Sequence, residues 1–204
     1  MIDRLVYYLR MTKRDTKSIL LDHGIQLMLE HGYHDTGIQD VLAAAKVPKG
    51  SFYHHFRNKE DFGLQVVQRY ADAAYRSLDE HLSDERYAPI DRVRRFFADV
   101  LADWDHRSCR EGCLLGKLGQ ELADVNERFR RCIAETLDEW AARIAICLTE
   151  AQRCGEIPAD GDPRKLADLL LDGFEGAALR MKLVKNIAPL EGFVDLYFDH
   201  VLST

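Results

Sequence analysis

Thr36-Gly37-Ile38-Gln39-Asp40-Val41-Leu42-Ala43-Ala44-Ala45-Lys46-Val47-Pro48-Lys49-Gly50-Ser51-Phe52-Tyr53-His54-His55-Phe56 is the stretch that decides the fold. Thr36 with Gln39 three residues on reads as a capping box, in which each side chain takes a backbone N–H at a helix start. It predicts a short helix through Ala45. Pro48 keeps that helix from running on and suits the first turn of the next. In this next helix Phe52 and Phe56 stand four apart, share a face and can pack inward. Lys49, Ser51, Tyr53 and His54 are left outside. A recognition helix needs an apolar back to seat it and hydrogen-bonding side chains near its N-terminus to reach base edges. The plainer alternative is an aromatic core beneath a solvated, charged face.

Working outward, Leu20, Gly24, Leu27 and Met28 give a first helix over about 13–31, ended by Gly32. Asn58-Lys59-Glu60-Asp61 caps a long fourth helix with acids in its first turn. Pro89 opens a helix to about Arg107, and 112–122 and 125–153 follow, the latter closed by Gly155. Asp162-Pro163 starts a helix to about Lys185, and Pro189 opens the last, to Leu202. No segment alternates at the strand period. The expectation is an all-α chain of about nine helices: a three-helix, helix-turn-helix DNA-binding domain at 12–58 and a ligand-sensing, dimerising domain at 59–204. Cationic and hydroxyl side chains at helix starts are candidates for phosphate contact, where free backbone N–H groups favour anions. These are Lys13, Arg14 and Lys17 on the first helix, Thr36 on the second and Lys59 on the fourth.

The charge distribution agrees. The net charge is −6. Residues 1–60 hold 9 Lys/Arg against 7 Asp/Glu and 5 of the 8 histidines, whereas 61–204 hold 19 against 27. A basic end on an acidic remainder suits a DNA-binding head on a body that does not touch DNA. At 47% hydrophobic and 30% charged residues, the composition is that of a globular chain rather than a disordered one. No run of apolar residues is long enough for a membrane span. Asp3 and Arg4 stand where a secretion signal needs apolar residues, and five cysteines is an odd number, so reduced thiols in a cytoplasm are expected. Met11-Thr12-Lys13-Arg14 has the look of a natural start, and the expectation is that 1–10 are an upstream extension.

The pattern Thr36…Val41…Ala44…Val47-Pro48-Lys49-Gly50-Ser51-Phe52-Tyr53-His54-His55-Phe56…Asn58-Lys59-Glu60 closely resembles the signature of TetR/AcrR-family transcriptional repressors. The resemblance runs without a gap over about 15–62. It implies a homodimer on a near-palindromic operator, released by a small-molecule inducer in the body. It also implies that Thr36, Lys49, Ser51, Tyr53, His54 and Lys59 sit at DNA-contact positions. Lys46 departs from the family, which usually has Gly at this turn; a left-handed backbone there would cost a Lys on the order of 1 kcal/mol. Lys46 also adds a positive charge near DNA.

A second resemblance is carried by Gly112-Cys113-Leu114-Leu115-Gly116-Lys117-Leu118-Gly119-Gln120-Glu121-Leu122, Asp172-Gly173-Phe174-Glu175-Gly176-Ala177 and Arg180-Met181-Lys182-Leu183. These segments resemble the subgroup containing the acrylate-utilisation repressor and the electrophile- and oxidant-responsive repressor of N-ethylmaleimide reductase. The residues add their own argument. Leu114, Leu118 and Leu122 share one side of a helix, with Cys113, Gly116 and Gln120 opposite, so Cys113 would line a narrow space with Gln120 as its polar handle. A thiol becomes reactive near a cation or a helix N-terminus, and Cys113 lies in the first turn with Arg110 near in sequence and Lys182 a candidate partner. The bland alternative is a buried, space-filling cysteine. Cys109, Cys132, Cys147 and Cys154 read as structural. His106-x-x-Cys109-x-x-x-Cys113 lacks a telling fourth ligand, so no metal and no cofactor are expected.

Trp104, Trp140 and Phe174 could line a pocket or be core, and Arg180 or Lys182 could pair with a small organic acid or be solvated. Gly173, Gly176 and Ala177 form a small-residue face. Leu190, Phe193, Val194, Tyr197, Phe198 and Val201 form an apolar one, which suggests a four-helix dimer interface unless it is buried within the monomer. No catalytic His/Asp arrangement and no phosphate loop is present, so a thiol-dependent enzyme using Cys113 is a remote alternative to a regulator.

Overall fold

The computed structural model describes residues 15–202. Nine α-helices are found among them, and no strand: α1 Thr16–His31, α2 Ile38–Ala45, α3 Lys49–His55, α4 Lys59–Leu82, α5 Pro89–His106, α6 Leu114–Leu122, α7 Glu127–Arg153, α8 Pro163–Val184 and α9 Ala188–Leu196. The all-α expectation holds. The final turn, Tyr197–Val201, widens into a π-helix in which Leu202 N donates to Tyr197 O at 3.1 Å.

Punctuation accounts for most boundaries. Asp15 accepts from Ser18 N at 2.8 Å and starts α1, and these bonds hold its carboxyl below the usual carboxylate range. Asn58 Oδ1 accepts from Asp61 N at 2.8 Å to start α4, while the Asp61 carboxylate reaches back to Arg57 N at 2.9 Å. Asp162 caps α8 ahead of Pro163, and Gly155, at φ +74°, follows the end of α7.

The capping box at Thr36 does not form. Gly37 is the N-cap of α2, and Asp40, not Gln39, takes the Gly37 N–H at 2.9 Å. The Thr36 side chain is buried and donates to Gly32 O at 2.6 Å. A hydroxyl four residues after a free helix-end carbonyl has this competing partner, which sequence spacing alone does not reveal.

The chain divides into two compact units. One runs through Ala74 and adds Cys113–Glu135; the other comprises Tyr75–Gly112 and the residues from Thr136 on. The helix-turn-helix segment lies in the first unit, whose core includes Leu20, Ile25 and Met28 of α1, Val41 of α2, Phe52 and Phe56, Phe62 and Val66 of α4, Leu114, Leu115 and Leu118 of α6, and Phe129 of α7. Gly24 is where α1 and α4 meet: a Cβ there would lie 2.5 Å from the Phe62 ring and 2.8 Å from Val66.

In the second unit the core gathers on Phe97 and Trp104 of α5, Ile144 and Leu148 of α7, Leu170, Phe174 and Met181 of α8, and Leu190, Tyr197 and Phe198. Most of the apolar face expected to meet a partner subunit is therefore consumed inside this unit: Leu190, Val194, Tyr197 and Phe198 are buried. The Tyr197 hydroxyl donates to Leu166 O at 2.8 Å, and Gly173 is filled by the Phe193 ring, 2.2 Å from where a Cβ would stand. A different apolar set stays exposed on α8 and α9, namely Leu169, Leu179, Leu183, Val184 and Leu196.

Candidate DNA-binding face and sensing segment

Helix α3 is short and polar, so packing must hold it in place. Phe52 and Phe56 are fully buried, with ring centroids 5.0 Å apart and each about 5 Å from Phe62 of α4. This three-ring wedge seats one face of the helix. Outside the wedge, Lys49, Tyr53 and His54 are exposed and Ser51 is half-buried. Tyr53 keeps 53% of its surface open, an unusual exposure for a large aromatic on a helix this small.

The turn into α3 is made by Lys46, at φ 56° and ψ 41°. This is the left-handed conformation that Gly adopts freely and Lys does not. Lys46 N closes the end of α2 by donating to Ala43 O, and the exposed side chain leaves its ammonium on the surface beside α3.

Of the remaining phosphate-contact candidates, Lys17 is half-buried in the first turn of α1. Arg14 and Lys13 lie outside the described residues. Thr36 donates its one hydroxyl proton inward to Gly32 O, which leaves none for a phosphate in this conformation. Lys59 Nζ donates to His34 O at 3.0 Å and stands 4.7 Å over the Tyr33 ring, so one of its three protons is committed to the turn ahead of α2.

The sensing segment differs from the expectation at its start. Cys113 is the N-cap of α6, one position before the first turn, and is 8% exposed. Gln120 is exposed, and the two are not brought together. Seven helical residues rise about 10 Å, too far for one small cavity to hold both. Burial pushes three other thiols up: Cys109, Cys132 and, to about 11, Cys147, whose Sγ donates to Pro89 O at 3.2 Å. A raised thiol forms less thiolate, the nucleophilic species, so burial works against reactivity at these three. Cys154 is exposed. No three His, Cys, Asp or Glu side chains among the described residues gather as a metal site.

In the second unit Trp104 and Phe174 pack against each other at 5.3 Å, with Phe97 4.9 Å from Phe174. They are core as they stand. Arg180 is exposed and Lys182 half-buried, its Cδ 3.4 Å from where a Cβ on Gly112 would lie. Trp140 stands edge-on to Tyr75, and its Nε1–H is buried with no acceptor among the described residues.

The wedge-backed α3 and its left-handed entry turn are the geometry of a helix-turn-helix reader, and comparison with known proteins agrees. Residues 20–66 match the model of bacterial regulatory proteins of the tetR family, and 89–197 match a tetracyclin repressor-like C-terminal domain. The chain belongs to the TetR family. It is 40% identical to the transcriptional regulator AcuR of Cereibacter sphaeroides over 90% of this chain and 84% of that one. It is 35% identical to the HTH-type transcriptional repressor DhaR of a Mycobacterium species over 95% and 96%. The crystal structure of Escherichia coli NemR in a reduced form superposes with a TM-score of 0.84 at 30% identity, covering 90% of this chain and 95% of that one. The TetR-family chain is thus a transcriptional repressor and not an enzyme.

Two residues that matter to the head were not singled out from the sequence: Lys117 and Glu121 of α6. Spaced four apart on a polar helix face, they read as an ordinary surface pair. Their partners are backbone groups nearly ninety residues away, which no local pattern encodes.

Proposed function

We propose that the protein represses transcription in the cytoplasm as a homodimer. Each protomer would lay α3 in the major groove of one half of a near-palindromic operator, and a small inducer would release it. The carrying observation is α3 itself, with Phe52 and Phe56 buried behind Lys49, Tyr53 and His54. Lys46 and Lys59 supply positive charge at the edges of this face. Footprinting on the protein's own promoter region tests the reading: a protected, two-fold related pair of half-sites is expected, and absence of any protected sequence would end it.

Dimerisation has support on α8. Leu169, Gly176, Leu179, Arg180 and Leu183 recur within about 100° of one another around the helix axis. The three leucines are exposed, and a Cβ on Gly176 would meet nothing within 4 Å. A small residue amid exposed leucines suits the close approach of a second helix. Arg180 shares that stripe, which favours an interface role over contact with an inducer. Leu183→Glu should yield monomers in sedimentation.

For the inducer, the leading reading is an electrophile or oxidant acting at Cys113. Its position as the N-cap of α6, where free N–H groups favour a thiolate, supports this, as does the similarity to NemR. With a maleimide, the thiolate sulfur forms a C–S bond to the electron-poor alkene and the adjacent carbon takes a proton from water. Cys113→Ser should abolish release by N-ethylmaleimide while sparing operator binding. A second reading, a non-covalent small organic acid, is favoured by the Trp140 N–H, a buried donor awaiting an acceptor oxygen. Quenching of tryptophan fluorescence by a small carboxylate, lost in Trp140→Phe, would favour it.

A further inference from the structure

The turn after α1 is gripped from α6 by two side chains one helical turn apart. Lys117 Nζ donates to Leu29 O at 2.7 Å and Glu30 O at 2.8 Å. These carbonyls lie at the C-terminal end of α1, where backbone acceptors are left over and a cation meets the negative end of the helix dipole. Glu121 takes the complementary groups. Tyr33 N donates to its Oε2 at 2.8 Å and His34 N to its Oε1 at 2.6 Å, and His34 Nδ1 stands 2.5 Å from Oε1. Two successive N–H groups converging on a carboxylate make a small anion nest, and bonds to a charged acceptor are the strong kind.

The backbone is shaped to this contact, and the contact's own hydrogen bonds set the ionisation of the carboxyl. Burial alone would raise the Glu121 carboxyl, but the His34 and Tyr33 N–H groups and the His34 ring outweigh it and hold it below the usual carboxylate range. The backbone at Gly32 is also shaped around it. Gly32 sits at φ +85°, a conformation side chains rarely adopt, and a Cβ there would lie 2.6 Å from Glu121 Oε2. The α6 helix does not require either residue for its own seating, because Leu114, Leu115, Leu118 and Leu122 supply its buried face.

We propose that Lys117 and Glu121 are positioning residues through which helix α6 holds the helix-turn-helix in the posture that fits DNA. The proposal rests on the reading that an inducer acts at the segment beginning with Cys113. Cys113, Lys117 and Glu121 recur every four residues, so a displacement that starts at the N-cap of α6 is passed along the face that carries both prongs. Hydrogen bonds tolerate only a few tenths of an ångström, so a shift of α6 by one or two ångströms breaks them. The freed turn, Gly32 to Asp35, leads directly into α2.

The swapped variant K117E/E121K tests this. It preserves net charge, helix propensity and an i,i+4 ion pair, but offers an anion to carbonyls and a cation to N–H groups. Glu121→Gln and Glu121→Asp accompany it, the former removing the charge and the latter keeping a carboxylate. Amide hydrogen exchange of Tyr33 and His34, operator affinity, and release by N-ethylmaleimide are measured on dimeric, folded protein. The swap and Glu121→Gln are expected to speed exchange of both amides at least tenfold. Uninduced operator affinity should fall about tenfold or more, and the further loss caused by N-ethylmaleimide should shrink. Glu121→Asp should recover part of each. Operator affinity and release unchanged from the parent, with the amides demonstrably freed, would overturn the proposal, as would amides that stay protected in every variant. Cys113→Ser separates the two ideas: if it still releases with N-ethylmaleimide, the thiol reading fails. The positioning role then stands or falls on uninduced affinity and exchange alone.

Discussion

Two aromatic triplets, one in each compact unit, have nearly the same geometry and very different origins. Phe52, Phe56 and Phe62 lie with centroids 4.9 to 5.2 Å apart, and all come from one eleven-residue stretch. Phe97, Trp104 and Phe174 touch at 4.9 and 5.3 Å, but Phe174 arrives from seventy residues downstream. The first triplet exists to aim a helix outward. The second fills the interior of its unit, the core alternative of the two that Trp104 and Phe174 allow. Similar packing thus serves a fixed reading head in one unit and a core in the other.

The comparison can be broken first by deletion. Phe52→Ala and Phe174→Ala should each cost about 3–5 kcal/mol, the usual price of a large cavity. They should differ in consequence. Phe52→Ala is expected to abolish the footprint and the amide protection of α2 and α3, whereas Phe174→Ala should lower the melting temperature and leave α3 protected. Loss of α3 protection in Phe174→Ala would erase the distinction.

Smaller effects sharpen it. Lys49→Ala or Tyr53→Ala should weaken operator binding by about 1–3 kcal/mol each, roughly fivefold to more than a hundredfold, in gel shifts, with dimerisation and melting unchanged. Lys46→Gly relieves the left-handed backbone and should raise the free energy of unfolding by roughly 1 kcal/mol in denaturant melts. It should also flatten the salt dependence of operator binding by about one counterion if its ammonium faces phosphate.

The smallest test is titration of one carboxyl from each unit, where the signs oppose. Burial and the neighbouring Glu111 carboxylate push Asp103 up to about 6, despite Arg107 Nε at 3.1 Å. A raised carboxyl binds its proton more tightly in the folded state, so this group favours folding below about pH 4, and that advantage is lost as pH rises to about 6. Glu121 is held low by the turn it grips, so its contribution is present above its ordinary value of 4.5 and is lost as pH falls further. Carboxyl NMR titrations should place Asp103 well above Glu121, and Asp103→Asn should remove the pH 4–6 component of stability.

What could be read from the sequence follows locality. Pro48, Asn58, Asp162 and Gly155 announce helix ends because their partners lie within four residues. Phe52 and Phe56 were legible for the same reason, and Lys46 was recognisable as the wrong residue for its turn. Thr36 failed as a cap because Gly32 O competes for its hydroxyl from the other side. Gln120 and Cys113 share an angle around the helix, but seven residues of rise separate them. The apolar face of α9 and the turn after it announced burial but not against what, and only the fold shows that Leu166 and Gly173 help to meet it. The grip of Lys117 and Glu121 on α1 and its turn was invisible, because charged residues four apart have a cheaper explanation.

The nest that Gly32, Tyr33 and His34 build for a carboxylate has a consequence for anyone who wishes to transplant this head. A graft cut at the end of α3 would carry the receptor half of the contact and leave its occupant behind, with two amides and a helix end exposed to whatever the recipient offers. The portable cassette is discontinuous: it must bring the stretch beginning at Cys113 with it, or find a recipient whose own helix already places an acid where Glu121 stands.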